Sequence, residues 1–562
     1  MVAQATQVPV LIVGAGPVGV TIANLLGRYG VETLLIDKSP TVLDYPRAVG
    51  LDDEAIRTFQ AADLAEQMLR DMIQNVPMRM YSANKKCMAE ILPSTKEFGW
   101  FRRNLFSQPL GETTLREGLK RYQHVRMALG VELKSLAQDA NSVTVIVINE
   151  SGQTHEIKAQ YLVASDGARS TVRESLLNIP YEGKTHAHKW VVIECENDPL
   201  DAPYTALHCE PDRPYVCLRL PYGLRRWEFM LFPGEDGEQM LKPEKVNELL
   251  RNHVPNPERL NVIRARVYTH NSRVAGSFVS GRVCLAGDAA HITPPWIGQG
   301  LNAGLRDAFN LAWKLAWIIQ GRLKPEMLNS YHDERHAHSK AMIDLADLFG
   351  AALSQRNRFV AWVRDRLLLS IKNIPAFRDY VLQMKFKPMP RFSKGVVINS
   401  GHSNQDEIVG RMFIQPNIEL KSGEVKRFDD LVGAGFALLS WRCNPMVDAP
   451  DQLISQLKQQ LACHILVGIR SRTSDGECDP AIRNAKQAIV VEDLENSLQL
   501  WFQSKKVDWV LIRPDRFVAA AGQAEDMVST LTQFCDLMLP KNAQSGTEKN
   551  HQISPLQDAM TA

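Results

Sequence analysis

Apolar residues follow two rhythms along this chain. Residues 8–13 (VPVLIV) form an unbroken apolar run of strand length. Such a run predicts a parallel strand buried on both faces. From 20 to 29 the spacing turns helical, with Ile22, Leu25 and Leu26 on one face and Gly30 as the stop. Residues 31–36 (VETLLI) repeat the strand pattern and end at Asp37. Strand, turn, helix and strand make a complete parallel unit.

Residues 141–164 alternate as short strands, VTVIVI against EIKAQYLVA. Between 185 and 275, runs such as KWVVIEC, YVCLRLP and RRWEFMLF predict a separate sheet. GRVCLAGD (281–288) returns as a buried strand, followed by a glycine-rich turn and a long helix over 301–320. Helical spacing resumes over 324–354 and continues to 384. Residues 386–410 carry Pro, Gly and Ser with little pattern and are expected to be a linker. Residues 411–540 alternate strands with helices, as a small α/β domain would. The tail, 541–562, has few apolar residues and is expected to be mobile. No internal repeat is visible.

The 562 residues are 45% apolar and 23% charged, which suits a globular chain with a large core. With 65 basic and 63 acidic residues the formal net charge is +2, so no long-range field for nucleic acid or acidic membranes is expected. The nine cysteines are odd in number and contain no CxxC pair, which argues against a disulfide framework or a zinc ribbon. Reduced thiols in a cytoplasm are the expectation. The N-terminus lacks a basic n-region, and no apolar stretch approaches the ~20 residues of a membrane span.

The turn between the first strand and helix reads Val13-Gly14-Ala15-Gly16-Pro17-Val18-Gly19. Gly14 permits the tight turn, Gly16 lets the backbone approach a pyrophosphate, and Gly19 lets helix and strand pack closely. The helix start offers free N–H groups to phosphates. Asp37, followed by Lys38, can accept hydrogen bonds from a ribose. This motif alone does not separate FAD from NAD. A second fragment does. Gly287-Asp288 ends a strand, Pro295 follows, and Gly298, Gly300, Leu301 and Asn302 open the next helix. An acid at a strand end can hold a ribitol. A glycine-rich helix start stabilises negative charge on a reduced flavin ring. A third fragment, Asp166-Gly167 after a strand, reads by itself as a turn.

GAGPVG, ASDGARSTVR and GDAAH…PP…GQGLN together resemble the single-component FAD aromatic hydroxylases, over roughly residues 8–345. Further stretches (45–60, 98–104, 266–275, 385–390, 513–520) extend the resemblance almost to the full length, towards members acting on a phenol with a carboxylate side chain. The resemblance implies an α/β fold: a Rossmann-like FAD-binding domain (1–180 and 276–385), an inserted β-sheet substrate domain (181–275) and a thioredoxin-like C-terminal domain (411–540) without a redox CxxC. It implies bound FAD, NADH as a transient co-substrate, O2, and hydroxylation ortho to the phenol hydroxyl. It brings Arg47, Gln108 and Asp166 to the cofactor. No second GxGxxG exists, since Gly433-Ala434-Gly435 runs on to Leu438.

For catalysis the resemblance points to Tyr268 and Asp52; a packed strand tyrosine and a helix N-cap are the plainer readings. The substrate carboxylate calls for a cation, ideally a bidentate arginine. Arg225, Arg226, Arg273 and Arg103 are available, with His270 as another polar contact, and the sequence does not choose. No metal-ligand cluster is persuasive. The expected partner is a small phenolic carboxylate, with a homodimer left open. A hydroxylase of another phenol or aromatic polyketide, or a non-hydroxylating FAD oxidoreductase of the same fold, also stays open.

Overall fold

The computed structural model describes residues 5–399, 407–420, 422–441, 443–470 and 488–540. The tail 541–562, part of the expected linker and Cys478 lie outside the described residues. Three large sheets organise the rest.

The first sheet has eight strands. Ala5–Val13 lies at its centre, parallel to Thr154–Ala164 on one side and Thr33–Asp37 on the other. Val283–Leu285 and Val125–Leu129 extend it in parallel. Val10, Leu11 and Ile12 are wholly buried, as a strand covered on both faces requires. Helix α1 (Pro17–Arg28) follows the first strand with Pro17 at its start, where a missing N–H costs nothing. Helix α2 (Asp53–Ala61) begins at an Asp52 N-cap whose side chain accepts from the Ala55 N–H. Helix α3 (Gly300–Ile319) packs against α1. It is buried nearly all round, and its sequence is mostly apolar apart from a buried polar stripe. Helix α4 (Ser330–Leu353) lies outside it.

The second sheet, also eight-stranded, runs in the order His291–Ile292, Asn261–Ala275, Tyr181–Glu196, Arg225–Met230, Tyr215–Arg219, Thr205–His208, Met78–Tyr81, Cys87–Ile91. Its last two strands come from well upstream of the 181–275 segment expected to form it. Thr205–His208 pairs in parallel with Met78–Tyr81, a long-range contact that periodicity in either short run does not show. His291–Ile292 closes the other edge and ties this sheet to the Gly287 turn.

The C-terminal region builds a seven-stranded mixed sheet, with Ala437–Ser440, His464–Arg470 and Ile489–Asp493 parallel and Trp509–Ile512 and Val518–Gly522 antiparallel. It is not tethered loosely. Trp313 and Trp317 of α3 pack on Phe436, which in turn meets Phe534. Two fully buried charge groups cross the same boundary. Glu334 takes Lys314 at 2.7 Å and Arg513 at 2.7 Å, and Arg513 also holds Asp515. Asp429 takes Arg57 at 2.6 Å and Arg516 at 3.3 Å. Among the described residues all cysteines are free and no helix is long and apolar enough to cross a membrane.

Candidate active site

A cavity of about 490 Å3 opens where the first sheet's strand ends and helix starts meet the inner face of the second sheet. Gly16, Pro17 and Val18 contribute one wall; Gly287, Asp288, Pro295, Gly298, Gly300, Leu301 and Asn302 contribute another. Val13, Gly14, Ala15 and Gly19 build the turn behind it. Gly14 has φ +106°, and a Cβ there would stand 2.3 Å from the Ser165 carbonyl oxygen. A Cβ on Gly19 would stand 2.0 Å from the Gly14 oxygen, so helix and strand touch through backbone. Gly16 instead faces open space, as do Gly167 and Gly298. These openings leave room for a ligand to lie on bare backbone.

The polar groups fit a dinucleotide. Asp37 accepts the Ala15 N–H at 2.6 Å and the Ser39 N–H at 2.7 Å, which pins the glycine turn and keeps the carboxylate at its rim. Asp288 lines the cavity and its carboxylate has no hydrogen-bond partner among the described residues. Gln108 accepts the N–H groups of Arg47 (3.0 Å) and Ala48 (2.7 Å) and donates to Glu112. It thereby fixes the loop that carries Arg47 into the wall. Asn302 accepts the Asp52 N–H and donates to the Gly50 and Gly298 carbonyls. It joins the start of α3 to the start of α2. Asp166 accepts the Val172 N–H, and its other oxygen is buried without a partner. Burial pushes its pKa upward. Its neighbours Ser165, Gly167 and Ala168 line the cavity, while Asp166 stands just behind. Neither Asp37 nor Lys38 lines the cavity: Asp37 is half-buried behind the glycine turn that it pins, and Lys38 is exposed.

Of the catalytic candidates, Tyr268 lines the cavity with a hydroxyl that has no partner among the described residues. Burial raises its pKa, so it stays a neutral hydroxyl. Asp52 also reaches the wall, but both carboxylate oxygens are committed. One caps α2; the other takes Arg306 and, at 2.9 Å, Lys387. Burial works against its charge, yet the two cations outweigh it and hold the pKa below the ordinary carboxylate range. Capped and paired in this way, Asp52 is held ionised with both oxygens occupied, which argues against the base role expected of it.

Two of the arginine candidates are corrected as well. Arg225 turns away, with its Nη2 2.6 Å from the Leu200 carbonyl and its Nε 3.5 Å from Asp198. Neighbouring residues on a strand face opposite sides, so Arg226 points into the cavity wall instead. Arg273 binds the Tyr181 carbonyl and the Thr185 hydroxyl, outside the wall. His270 does line the cavity, stacked on Trp190 and edge-on to Trp296. Burial pushes its pKa down to about 3, so the ring is neutral. Sequence reasoning missed Thr205, Glu228, Thr293 and Trp296 in the wall, and Arg306 and Lys387 behind it. Lys387 sits in KFKPMP, which had marked the resemblance without disclosing a role.

Comparison with known proteins agrees with this geometry. A family described as "FAD binding domain" matches residues 7–346, and one described as "HcaD C-terminal domain" matches 410–537. A 3-(3-hydroxy-phenyl)propionate/3-hydroxycinnamic acid hydroxylase 2 of Burkholderia vietnamiensis is 48% identical over 93% of this chain and 95% of its own length. A protein of the corresponding name from Escherichia coli is 42% identical over 95% of both chains. The chain belongs to the FAD-dependent aromatic hydroxylases. Solved structures share the fold. The flavin-dependent monooxygenase PieE superposes with TM-score 0.78 at 22% identity, covering 94% of this chain and 99% of its own. Aklavinone-11 hydroxylase gives 0.73 at 22%, covering 94% and 99%. As a member of the hydroxylases the chain is an FAD-dependent aromatic monooxygenase, and its cavity holds both an apolar sleeve and the bare-backbone turns that FAD requires.

Proposed function

We propose that this enzyme converts 3-(3-hydroxyphenyl)propanoate, and 3-hydroxycinnamate, to the 2,3-dihydroxyphenyl catechols, with NADH and O2 as co-substrates. The observation that carries this reading is near full-length similarity, at 48% and 42% identity, to proteins named for those two acids. Bound FAD would supply the redox chemistry, taking a hydride from NADH and passing one oxygen atom of O2 to the ring.

The protein's share is binding, orientation and exclusion of water. The glycine turn at 14–19 and the α1 start would hold the pyrophosphate, with Asp37 and Asp288 at the ribose and ribitol, and Arg47, Gln108 and Asp166 around them. The start of α3, at Gly298 to Asn302, has free N–H groups and a positive dipole end that would stabilise negative charge on a reduced flavin bound beside it. Tyr268 would hydrogen-bond the phenol hydroxyl, which a neutral tyrosine can both donate to and accept from. Neutral His270 would sit beside the ring. We assign FAD binding to 1–180 and 276–385, substrate cover to 181–275, a connecting role to 386–410, and bracing to a thioredoxin-like 411–540. Use of NADH and free cysteines suit a cytoplasmic enzyme.

The test is product analysis. The FAD-loaded enzyme, given NADH, O2 and 3-(3-hydroxyphenyl)propanoate, should yield the catechol in proportion to NADH consumed. NADH consumption that ends in peroxide with no catechol would overturn the assignment.

A further inference from the structure

Two cations in the cavity wall, Arg47 and Arg103, have no acidic partner among the described residues. Arg226 is saturated by Glu194 at 2.6 Å and by the Pro46 and Arg47 carbonyls. Arg102 lies 3.7 Å from Asp53 and donates to the Gln383 carbonyl. Arg47 is exposed. Arg103 differs from all three. Its Nε donates to the Val76 carbonyl at 3.0 Å, and its terminal nitrogens have no partner among the described residues. No described carboxylate stands within ion-pair distance. Burial alone pushes its pKa down, to about 10, with no anion working the other way.

Its surroundings explain what the missing partner is. Val76 and Pro77 lead into the strand Met78–Tyr81 of the second sheet. Thr205 donates its N–H to the Pro77 carbonyl at 2.9 Å, so Arg103 and Thr205 are attached to successive residues of one segment. The Thr205 hydroxyl is buried without a hydrogen-bond partner. Both side chains line the cavity, and beside them the wall is apolar: Met78, Leu207, Val216 and Leu218. Thr205 is the direct cross-strand neighbour of both Met78 and Leu218. A guanidinium and an unpartnered hydroxyl thus line the same cavity as these apolar side chains. Arg103 is half-buried, and its terminal nitrogens, unpaired by the protein, are open to a ligand that brings the anion.

We propose that Arg103 anchors the carboxylate of the substrate's side chain, with the Thr205 hydroxyl as a second donor, so that the cavity selects phenols bearing an anionic arm. This deepens the hydroxylase reading and rests on it for the identity of the ring. The charge-assisted pair sets which arenes stay long enough to be hydroxylated. It also turns the ring so that the phenol end lies away from Arg103.

Calorimetric titration of the FAD-loaded enzyme with 3-phenylpropanoate and with 3-phenylpropanamide reads the anchor without turnover. Arg103→Gln should weaken the carboxylate on the order of 100-fold and the amide by less than about threefold. Thr205→Val should cost the carboxylate about fivefold. Equal weakening of both probes, or of neither, overturns the proposal. Should Arg103→Gln fail to yield FAD-loaded protein, Arg103→Lys decides: weaker carboxylate binding with an unchanged amide supports the anchor, and any other pattern overturns it. A wild type that binds the carboxylate through Arg103 yet makes no catechol removes the hydroxylase reading and keeps the anchor. Catechol formation with affinity indifferent to Arg103 does the reverse.

Discussion

Asp288 shows how much one side chain can carry. It stands at the cavity wall on a tight helical turn after a buried strand, and its carboxylate has no protein partner among the described residues. On the proposed reading that half-buried carboxylate takes hydroxyls of the cofactor's ribitol. Asp288→Ala should lower FAD affinity by roughly tenfold to a hundredfold, the loss of a charge-assisted hydrogen bond. The flavin-to-protein absorbance ratio after gel filtration measures it; an unchanged ratio would refute the role. Asp288 was legible as a strand-end acid followed by a glycine-rich helix start. Arg103 was legible only as one arginine among several. Which arginine lacks a partner depends on carboxylates supplied by distant segments, such as Glu194 for Arg226.

At the scale of elements, α2 and α3 start side by side and share charge. Along α3, Asn302, Arg306, Asn310 and Lys314 recur every fourth residue and are all buried. Asn302 and Arg306 bind the α2 start, while Asn310 and Lys314 bind Glu334 of α4. Three acids, Asp52, Asp53 and Glu54, crowd the α2 start; Arg306 and Lys387 pair closely with two of them, while Asp53 has only Arg102 at 3.7 Å. Asp53 is the remainder: burial, with the neighbouring acids, raises its pKa to about 7. Its folded pKa thus exceeds the unfolded value near 3.8, and the folded state keeps a proton the unfolded chain loses. That contribution is fully present below about pH 4 and declines as pH rises towards 7. Asp53→Asn should abolish the decline. Denaturant unfolding of both proteins across pH 4 to 7 checks it: the stability gap in favour of the variant should widen with pH. Helix spacing revealed α3, but a polar stripe inside an apolar helix had no reading until its partners were in place.

Across the whole molecule, the C-terminal region is locked to the flavin-binding region by buried ions as well as by aromatic packing. Arg513 bridges Glu334 and Asp515, all essentially without solvent exposure. The Arg513 and Lys314 charges outweigh the cost of burial and hold Glu334 at about 2, so it stays ionised. Arg513→Ala would leave two buried carboxylates short of a counter-charge and should cost about 3–5 kcal/mol, read as a lower unfolding midpoint in denaturant. An unchanged midpoint would show that the two regions unfold independently.

The parallel strand–helix units, the glycine turns at 14–19 and 298–300 and the alternation of the C-terminal region follow from local pattern, because backbone geometry there admits few residue types. The recruitment of Met78–Tyr81 and Cys87–Ile91 into the second sheet does not. Neither do the withdrawal of Arg225 and Arg273 from the cavity, nor the pairing that leaves Arg103 alone. Those are outcomes of contacts between segments that local pattern does not pair, from Arg225 on Leu200, 25 positions away, to Thr205 on Met78, 127 positions away. A charge has a partner or lacks one only when the chain has closed around it.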